Sequence, residues 1–395
     1  SATLSLIGAE GVFLLYSRSQ TEGQRLLTCI PAMLLCYWCF GYGAWLCLAL
    51  MLAAGIIAHH QKLSALLAVG ILLLPATQYP ATTWWSKPDL DREYVLSLDV
   101  EHYFGNIQKM RKHLETDRQI LWVTYYRNLY NATHPSEINS PVSLSRNLLA
   151  WNQPGTNGLI LPVNPSASFL SILFANELWF TLGDMTMAEH CAMLSMIFSP
   201  RNSGSRMIKR LAEIHLVNGD DEAALKYLRI LDKTLLHKSW AEKRIPGQQT
   251  PQVKEWLEKK RRDIPTQDQL RSGNDAVTSL QNLVASNAGN LRAYEYLLCY
   301  HLLSKDLRSF VEDYVPGKVS SPIFAEALLI HLARQGNIRA EELIKYQIPV
   351  EIAQEFADYT RLYEAKDTSL KEKYGKTYWF YYHFATTEPG KESKP

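Results

Sequence analysis

The chain has 395 residues, with 41 Lys and Arg against 39 Asp and Glu and a formal net charge of +2. That balance, with no long basic tract, excludes the electrostatic footprint of a nucleic-acid-binding protein. Six cysteines in so long a chain exclude a small disulfide-stapled fold.

A mean hydropathy of -0.16 conceals a split. Only Glu10, Arg18, Glu22, Arg25 and Lys62 are charged among the first 86 positions, and Leu26 to Gln61 and Leu63 to Ser86 carry no charge. Roughly 20 apolar helical residues cross the ~30 Å hydrocarbon layer of a bilayer. The expectation is a set of transmembrane helices over 1–85, at about 3–17 (partial), 24–39, 44–58 and 63–80. Leu26–Ala58 is too long for one span, and Phe40-Gly41-Tyr42-Gly43 supplies an interfacial turn in its middle. The chain begins at Ser1, and Leu4–Tyr16 lacks the basic start and small-residue cleavage site of a signal peptide. It reads as the end of a longer span, in a fragment whose upstream membrane helices are missing.

Arg18, Arg25 and Lys62 share one side of such a bundle, and basic loops stay in the cytoplasm. Everything after about residue 86 is then expected outside the cytoplasm. The spans hold no ionisable residue that would mark a proton relay or ion path. Cys29, Cys36, Cys39 and Cys47 sit in or near them and read as small hydrophobes, the Cys36/Cys39 CxxC included. His59-His60 reads as loop rather than a metal pair.

Beyond the spans, 86–168 reads as a helical region with an irregular connection. Tyr94–Leu114 and Arg118–Tyr130 have helical character, and Asn131–Pro165 is rich in Pro, Asn, Ser and Gly. From 169 to 387 a repeat emerges. Gly183-Asp184 and Ala188 recur as Gly219-Asp220 and Ala224, in both cases 36 residues later. A mid-thirties period with two helices per unit is the tetratricopeptide pattern. Gly183 and Gly219 are placed to end first helices in the left-handed conformation, and Asp184 and Asp220 to cap second ones. Ala188 and Ala224 let paired helices approach closely, and Pro200 stops the second helix of its unit. Weaker units lead to Lys305-Asp306 and to Gly336-Asn337. Gly247–Asp275 is a polar break, and Lys259-Lys260-Arg261-Arg262 within it reads as a solvated helix face. Thr377–Phe384 is aromatic enough to pack as an end cap, and 388–395 is expected to be disordered. The fold class expected is therefore all-α: transmembrane helices followed by a tetratricopeptide-like α-solenoid.

Several stretches carry a resemblance: Lys209-Arg-Leu-Ala-Glu-Ile, Ala224-Leu-Lys-Tyr-Leu, Lys238-Ser-Trp-Ala-Glu, Asn290-Leu-Arg-Ala-Tyr-Glu-Tyr-Leu-Leu, Leu303-Ser-Lys-Asp and Thr377-Tyr-Trp-Phe-Tyr-Tyr. Over roughly 90–385 the chain resembles an uncharacterised bacterial family of multi-pass membrane proteins with a C-terminal tetratricopeptide-like domain. The resemblance implies a bacterial inner-membrane protein with its helical domain in the periplasm, and it supplies no activity.

The chain holds no GxGxxG, GxxxxGK[ST], HExxH or GxSxG, and no paired CxxC at zinc spacing, so no cofactor or metal is expected. Glu189-His190-Cys191 are helix neighbours that point in different directions, which argues against a catalytic trio. The function expected is a membrane-anchored interaction scaffold that binds a protein or peptide partner, beside the lipid bilayer and without nucleic acid. In the 36-residue register Arg206, Lys209 and Glu213, and further on Arg292 and Glu295, face the groove and form the candidate partner site, with no catalytic, cofactor or metal residue assigned. The alternative is the C-terminal part of a membrane enzyme, an envelope-glycan or lipid-linked sugar transferase with catalytic residues upstream; a transporter is the third class.

Overall fold

A computed structural model describes residues 90–115, 120–134, 144–150, 155–161, 169–198, 204–266 and 275–385. The expected spans, the helix stop at Pro200 and the 388–395 tail lie outside these residues. Among the described residues the chain is all helical with no strand, consistent with a helical solenoid. No described helix is long and apolar enough to cross a membrane.

The first helices are α1 (Leu90–Tyr103), α2 (Ile107–Leu114), α3 (Leu121–Thr133) and the short α4 (Leu144–Asn147), followed by a 3₁₀ turn at Gly155–Gly158. The pairs α5 (Phe169–Leu182) with α6 (Met185–Ile197) and α7 (Ser205–Asn218) with α8 (Asp221–Asp232) come next. Then follow α9 (Lys238–Glu242), α10 (Pro251–Arg261), α11 (Ala276–Ser286), α12 (Leu291–Leu303), α13 (Leu307–Asp313) and α14 (Pro322–Arg334). The last are α15 (Ala340–Lys345), α16 (Val350–Glu364), α17 (Leu370–Tyr374) and α18 (Tyr378–Phe384). Consecutive helices pack on one another along α5–α6–α7–α8–α9, α11–α12–α13–α14 and α16–α17–α18. The described residues from Asp91 onward form one compact unit.

One turn recurs at the helix junctions. A residue with positive φ is followed by a residue whose N–H reaches back five positions, which satisfies two orphan carbonyls of the ending helix. Gly183 has φ 92°, and the Asp184 N–H donates to the Trp179 carbonyl at 2.9 Å. Gly219 has φ 80°, and the Asp220 N–H donates to His215. Lys305 and Lys366 take the same conformation without being glycine, followed by Asp306 on His301 and Asp367 on Leu362. The aspartates then cap: Asp184 accepts from the Met187 N–H, Asp220 from Ala223 and Asp306 from Ser309. Gly-Asp therefore ends one helix and starts the next, as the sequence spacing predicts. Ala188 and Ala224, on the helices that follow, are both fully buried.

Three segments depart from expectation. Tyr94–Leu114 is broken, because Gly105 at φ 70° ends α1 and Asn106 turns back onto Glu101. The polar stretch Gly247–Asp275 contains α10, started by Pro251 in its first turn, where no N–H is needed. Val253 and Leu257 give α10 a buried stripe that its charged residues hide from composition alone. Nor is Lys259–Arg262 a uniformly solvated face. Arg261 donates to the Val217 and Leu216 carbonyls, and Lys260 lies 4.6 Å from the Phe180 ring centroid. Burial, with Arg210 and Arg292 nearby, pushes the Lys260 ammonium down to about 8.

Long-range packing closes the unit. Tyr378 and Trp379 of α18 are fully buried, and the Tyr378 and Tyr381 hydroxyls donate to the Leu302 and Leu303 carbonyls at the end of α12. The aromatic segment does pack as expected, against α14 and α17 and onto the end of α12.

Two glycines with the same role should respond differently to one methyl group. A Cβ on Gly219 meets nothing within 4 Å, so Gly219→Ala carries only the left-handed strain, about 1 kcal/mol. A Cβ on Gly183 would sit 2.2 Å from the Asp263 carbonyl oxygen, so Gly183→Ala also forces backbone apart. Thermal unfolding should show a clearly larger loss for Gly183→Ala. In the same assay Ala224→Leu should lose about 1–3 kcal/mol by overpacking, and Lys226→Leu on the exposed face little. Equal, small effects would refute the packing register.

Candidate functional site

The helix α5 is mostly apolar and carries a single charged residue, Glu177. Glu177 is buried, and a buried charge needs partners. They come from α7, where Arg206 and Arg210 stand four apart and share a face. Arg206 Nη2 reaches Glu177 Oε1 at 2.8 Å and Arg210 Nη2 reaches Glu177 Oε2 at 2.5 Å. Arg206 Nη1 also pairs at 2.5 Å with Asp99 of α1, whose other oxygen accepts the Tyr126 hydroxyl at 2.6 Å. Arg210 continues to Glu213 at 3.2 Å and lies over the Phe180 ring. The cluster joins α1, α3, α5 and α7. Burial alone would raise the Glu177 carboxyl, but Arg210, the His102 hydrogen bond and Arg206 together hold it well below the usual range. Burial likewise works against the Arg206 charge, and Glu177 and Asp99 outweigh it.

The five sequence-predicted residues are placed as follows. Arg206 lies in this cluster. Lys209 sits beside it, its Nζ 3.4 Å from the Tyr103 hydroxyl and 5.0 Å from the Trp240 ring centroid. Glu213 pairs with Arg210. Arg292 donates from Nε to the Ala132 carbonyl and from Nη1 to the Thr181 carbonyl, the ends of α3 and α5, and pairs with Asp263 at 3.3 Å. Glu295 is fully buried. It accepts from the Ser145 hydroxyl (2.6 Å), the Ser145 N–H (2.8 Å) and the Leu144 N–H (3.4 Å), at the start of α4. Burial raises the Glu295 carboxyl despite these bonds. The structure gathers Arg206, Lys209 and Glu213 on α7 and sets Arg292 and Glu295 at buried helix ends.

Cys191 and Cys299 are free and buried, and the Cys191 thiol is pushed up to about 12 by burial. His190 is exposed while Cys191 is buried, so the Glu189-His190-Cys191 trio does not converge. Among the described residues no group of His, Cys, Asp and Glu could hold a metal ion.

Sequence reasoning missed a cleft of about 540 Å³ bounded by α4, the first turn of α14 and the α15–α16 connection. Ser145, Tyr314, Ser321, Glu326, Tyr346 and Lys376 are among its lining residues. Glu326, like Glu177 and Glu295, is the single acid of a mostly apolar helix. That isolation is the signal that could have found it. Its Oε2 accepts the Tyr378 N–H at the start of α18. Burial, opposed by that bond and reinforced by Glu355, raises the Glu326 carboxyl to about 7.

Two predictions follow from the opposite shifts of Glu177 and Glu326. Removing the shared cation by Arg206→Met leaves Asp99 and Glu177 buried with one partner fewer. Urea unfolding at neutral pH should then lose about 3–5 kcal/mol; a loss under about 1 kcal/mol would refute the role. Because the folded Glu177 titrates below its ordinary 4.5, its contribution is present above that pH and is lost as pH falls. Glu326 has the other sign. Its proton is held more tightly when folded, so ionisation destabilises the fold progressively from pH 4.5 to about 7. Glu326→Gln should therefore gain on wild type across that window, by up to about 3 kcal/mol, and run parallel to it above. A pH-independent difference would refute this shift.

The family described as "Family of unknown function (DUF6057)" matches residues 1–385, which takes in the charge-poor first part as well as the helical unit. No curated protein and no solved structure matches the chain. The chain belongs to this family of unknown function, DUF6057.

Proposed function

We propose that this protein is a membrane-anchored helical-repeat protein, with tetratricopeptide-like pairs, that serves as a protein–protein interaction scaffold facing the periplasm of a bacterial inner membrane. The charge-free stretches before residue 87 support the anchor, and the basic residues Arg18, Arg25 and Lys62 support the orientation. The recurring turn at Gly183-Asp184, Gly219-Asp220 and Lys305-Asp306 supports the repeat reading.

The observation that carries the binding role is the cleft. It is bounded by elements far apart in sequence, it mixes aromatic, hydroxyl and charged groups, and its size suits a short peptide segment. In this reading Arg206, Lys209, Glu213 and Arg292 hold the frame, and Glu295 fixes Ser145 at the wall of the cleft.

Two experiments test it. A periplasm-active reporter fused after Pro395 should be active, and activity of a cytoplasm-only reporter at that junction would overturn the orientation. A photo-crosslinking amino acid replacing Ala150, an exposed residue lining the cleft, should capture a discrete protein from native membranes. The same group replacing Lys254, exposed on α10, should not. No adduct from either position would overturn the scaffold and favour the alternative of a glycan or lipid-linked sugar transferase with its chemistry upstream.

A further inference from the structure

One end of the cleft is built from the first turn of α14, with Ser321, Pro322 and Ile323 lining it. Ser321 is the N-cap residue of this 13-residue helix, and its side chain makes no capping bond. The residue is only 7% exposed, and its hydroxyl is buried without a partner. A buried, unsatisfied hydroxyl is uncommon and carries a desolvation penalty, so a group that fills the cleft and bonds to it would relieve a real deficit. The helix start adds a partial positive charge directed at the same space. Two cationic residues, Arg146 and Lys376, line the cleft, against one acid, Glu326. One oxygen of that acid is occupied by the Tyr378 N–H, and its raised carboxyl is partly neutral near pH 7.

An anion suits this end, and the remaining walls say which kind. Tyr314, Tyr346 and Ile352 line the cleft as well, and its volume of about 540 Å³ far exceeds what a single anionic group fills. A carboxylate that carries residues behind it would use both parts. We propose that this cleft captures the C-terminal carboxylate of a partner polypeptide. Ser321 turns its buried hydroxyl about χ1 to donate to the carboxylate, Arg146 and Lys376 supply the positive field, and the aromatic wall receives the side chains that precede the terminus. This mode of recognition is one of the recurring solutions for peptide capture. The inference rests on the partner-binding reading above and names its ligand class.

The test is affinity selection on the full chain, with a pool of N-acetylated random tetrapeptides bearing free C-terminal carboxylates and the same pool as C-terminal amides. The acids should be retained about tenfold better than the amides, the scale of one hydrogen bond to a charged group. Ser321→Ala should remove most of that preference. Lys376→Gln, at an exposed residue, should reduce it measurably. Equal retention of acids and amides, or a preference unchanged in both variants, would overturn the proposal. Inorganic phosphate should compete only at concentrations far above those of the peptides; competition at equal concentration would overturn it in favour of a phosphate site. A protein adduct at Ala150 combined with no acid preference would refute the carboxylate inference alone. Loss of both would refute the scaffold as well.

Discussion

A helix buried in a pack of other helices carries unpaired amides at its start and unpaired carbonyls at its end, and water cannot reach either. Most of the specific chemistry in this domain answers that constraint. At two helix starts the answer is a carboxylate from another helix: Glu295 takes the Leu144 and Ser145 amides of α4, and Glu326 takes the Tyr378 amide of α18. At helix ends it is a donor from elsewhere in the chain. Arg127 serves the Leu114 carbonyl, Arg261 serves Leu216 and Val217, Arg292 serves Ala132 and Thr181, and the Asn290 amide serves Leu182. Short helices such as α4 and α18 have too few internal hydrogen bonds to persist alone, so these ties decide whether they exist at all.

The three isolated acids show how environment sets the state of one functional group. Glu177 meets two guanidinium groups and stays ionised, whereas Glu295 and Glu326 meet mainly amides and hydroxyls, and burial raises them. The first is an electrostatic clamp across α1, α5 and α7. The other two are caps, and Glu326 shares its position with the wall of a cleft. A single change at Glu295 or Glu326 would alter packing, charge and a helix terminus together.

The local rules were legible from the sequence. Gly-Asp at a 36-residue interval announced a left-handed stop and a cap, and Gly183, Asp184, Gly219 and Asp220 take those roles. The small Ala188 and Ala224 announced close approach, and both are fully buried. What the sequence did not disclose depends on which distant elements meet. Nothing local to Arg206 says that Asp99 lies against it, so the residue reads as a groove-facing cation of the candidate partner site. Helix α10 was obscured because its buried stripe, Val253 and Leu257, is narrow and lies among charges. The cleft was illegible for the same reason, being assembled from Ser145, Ser321 and Lys376, which come together only after folding.

In a simple solenoid each unit touches only its neighbours, and the chain can fold as it emerges. The ties here span 107 residues from Arg206 to Asp99, 150 from Ser145 to Glu295 and 160 from Arg292 to Ala132. The helices at 90–134 are thus synthesised long before their partners exist. At roughly 5–20 residues per second the ribosome needs on the order of ten seconds or more to deliver Arg292 after Ala132. For that interval α3 is without one of its closing donors. The early helices are therefore dependent on the later ones in time as well as in space, and a chain interrupted before α12 leaves its first helices incomplete.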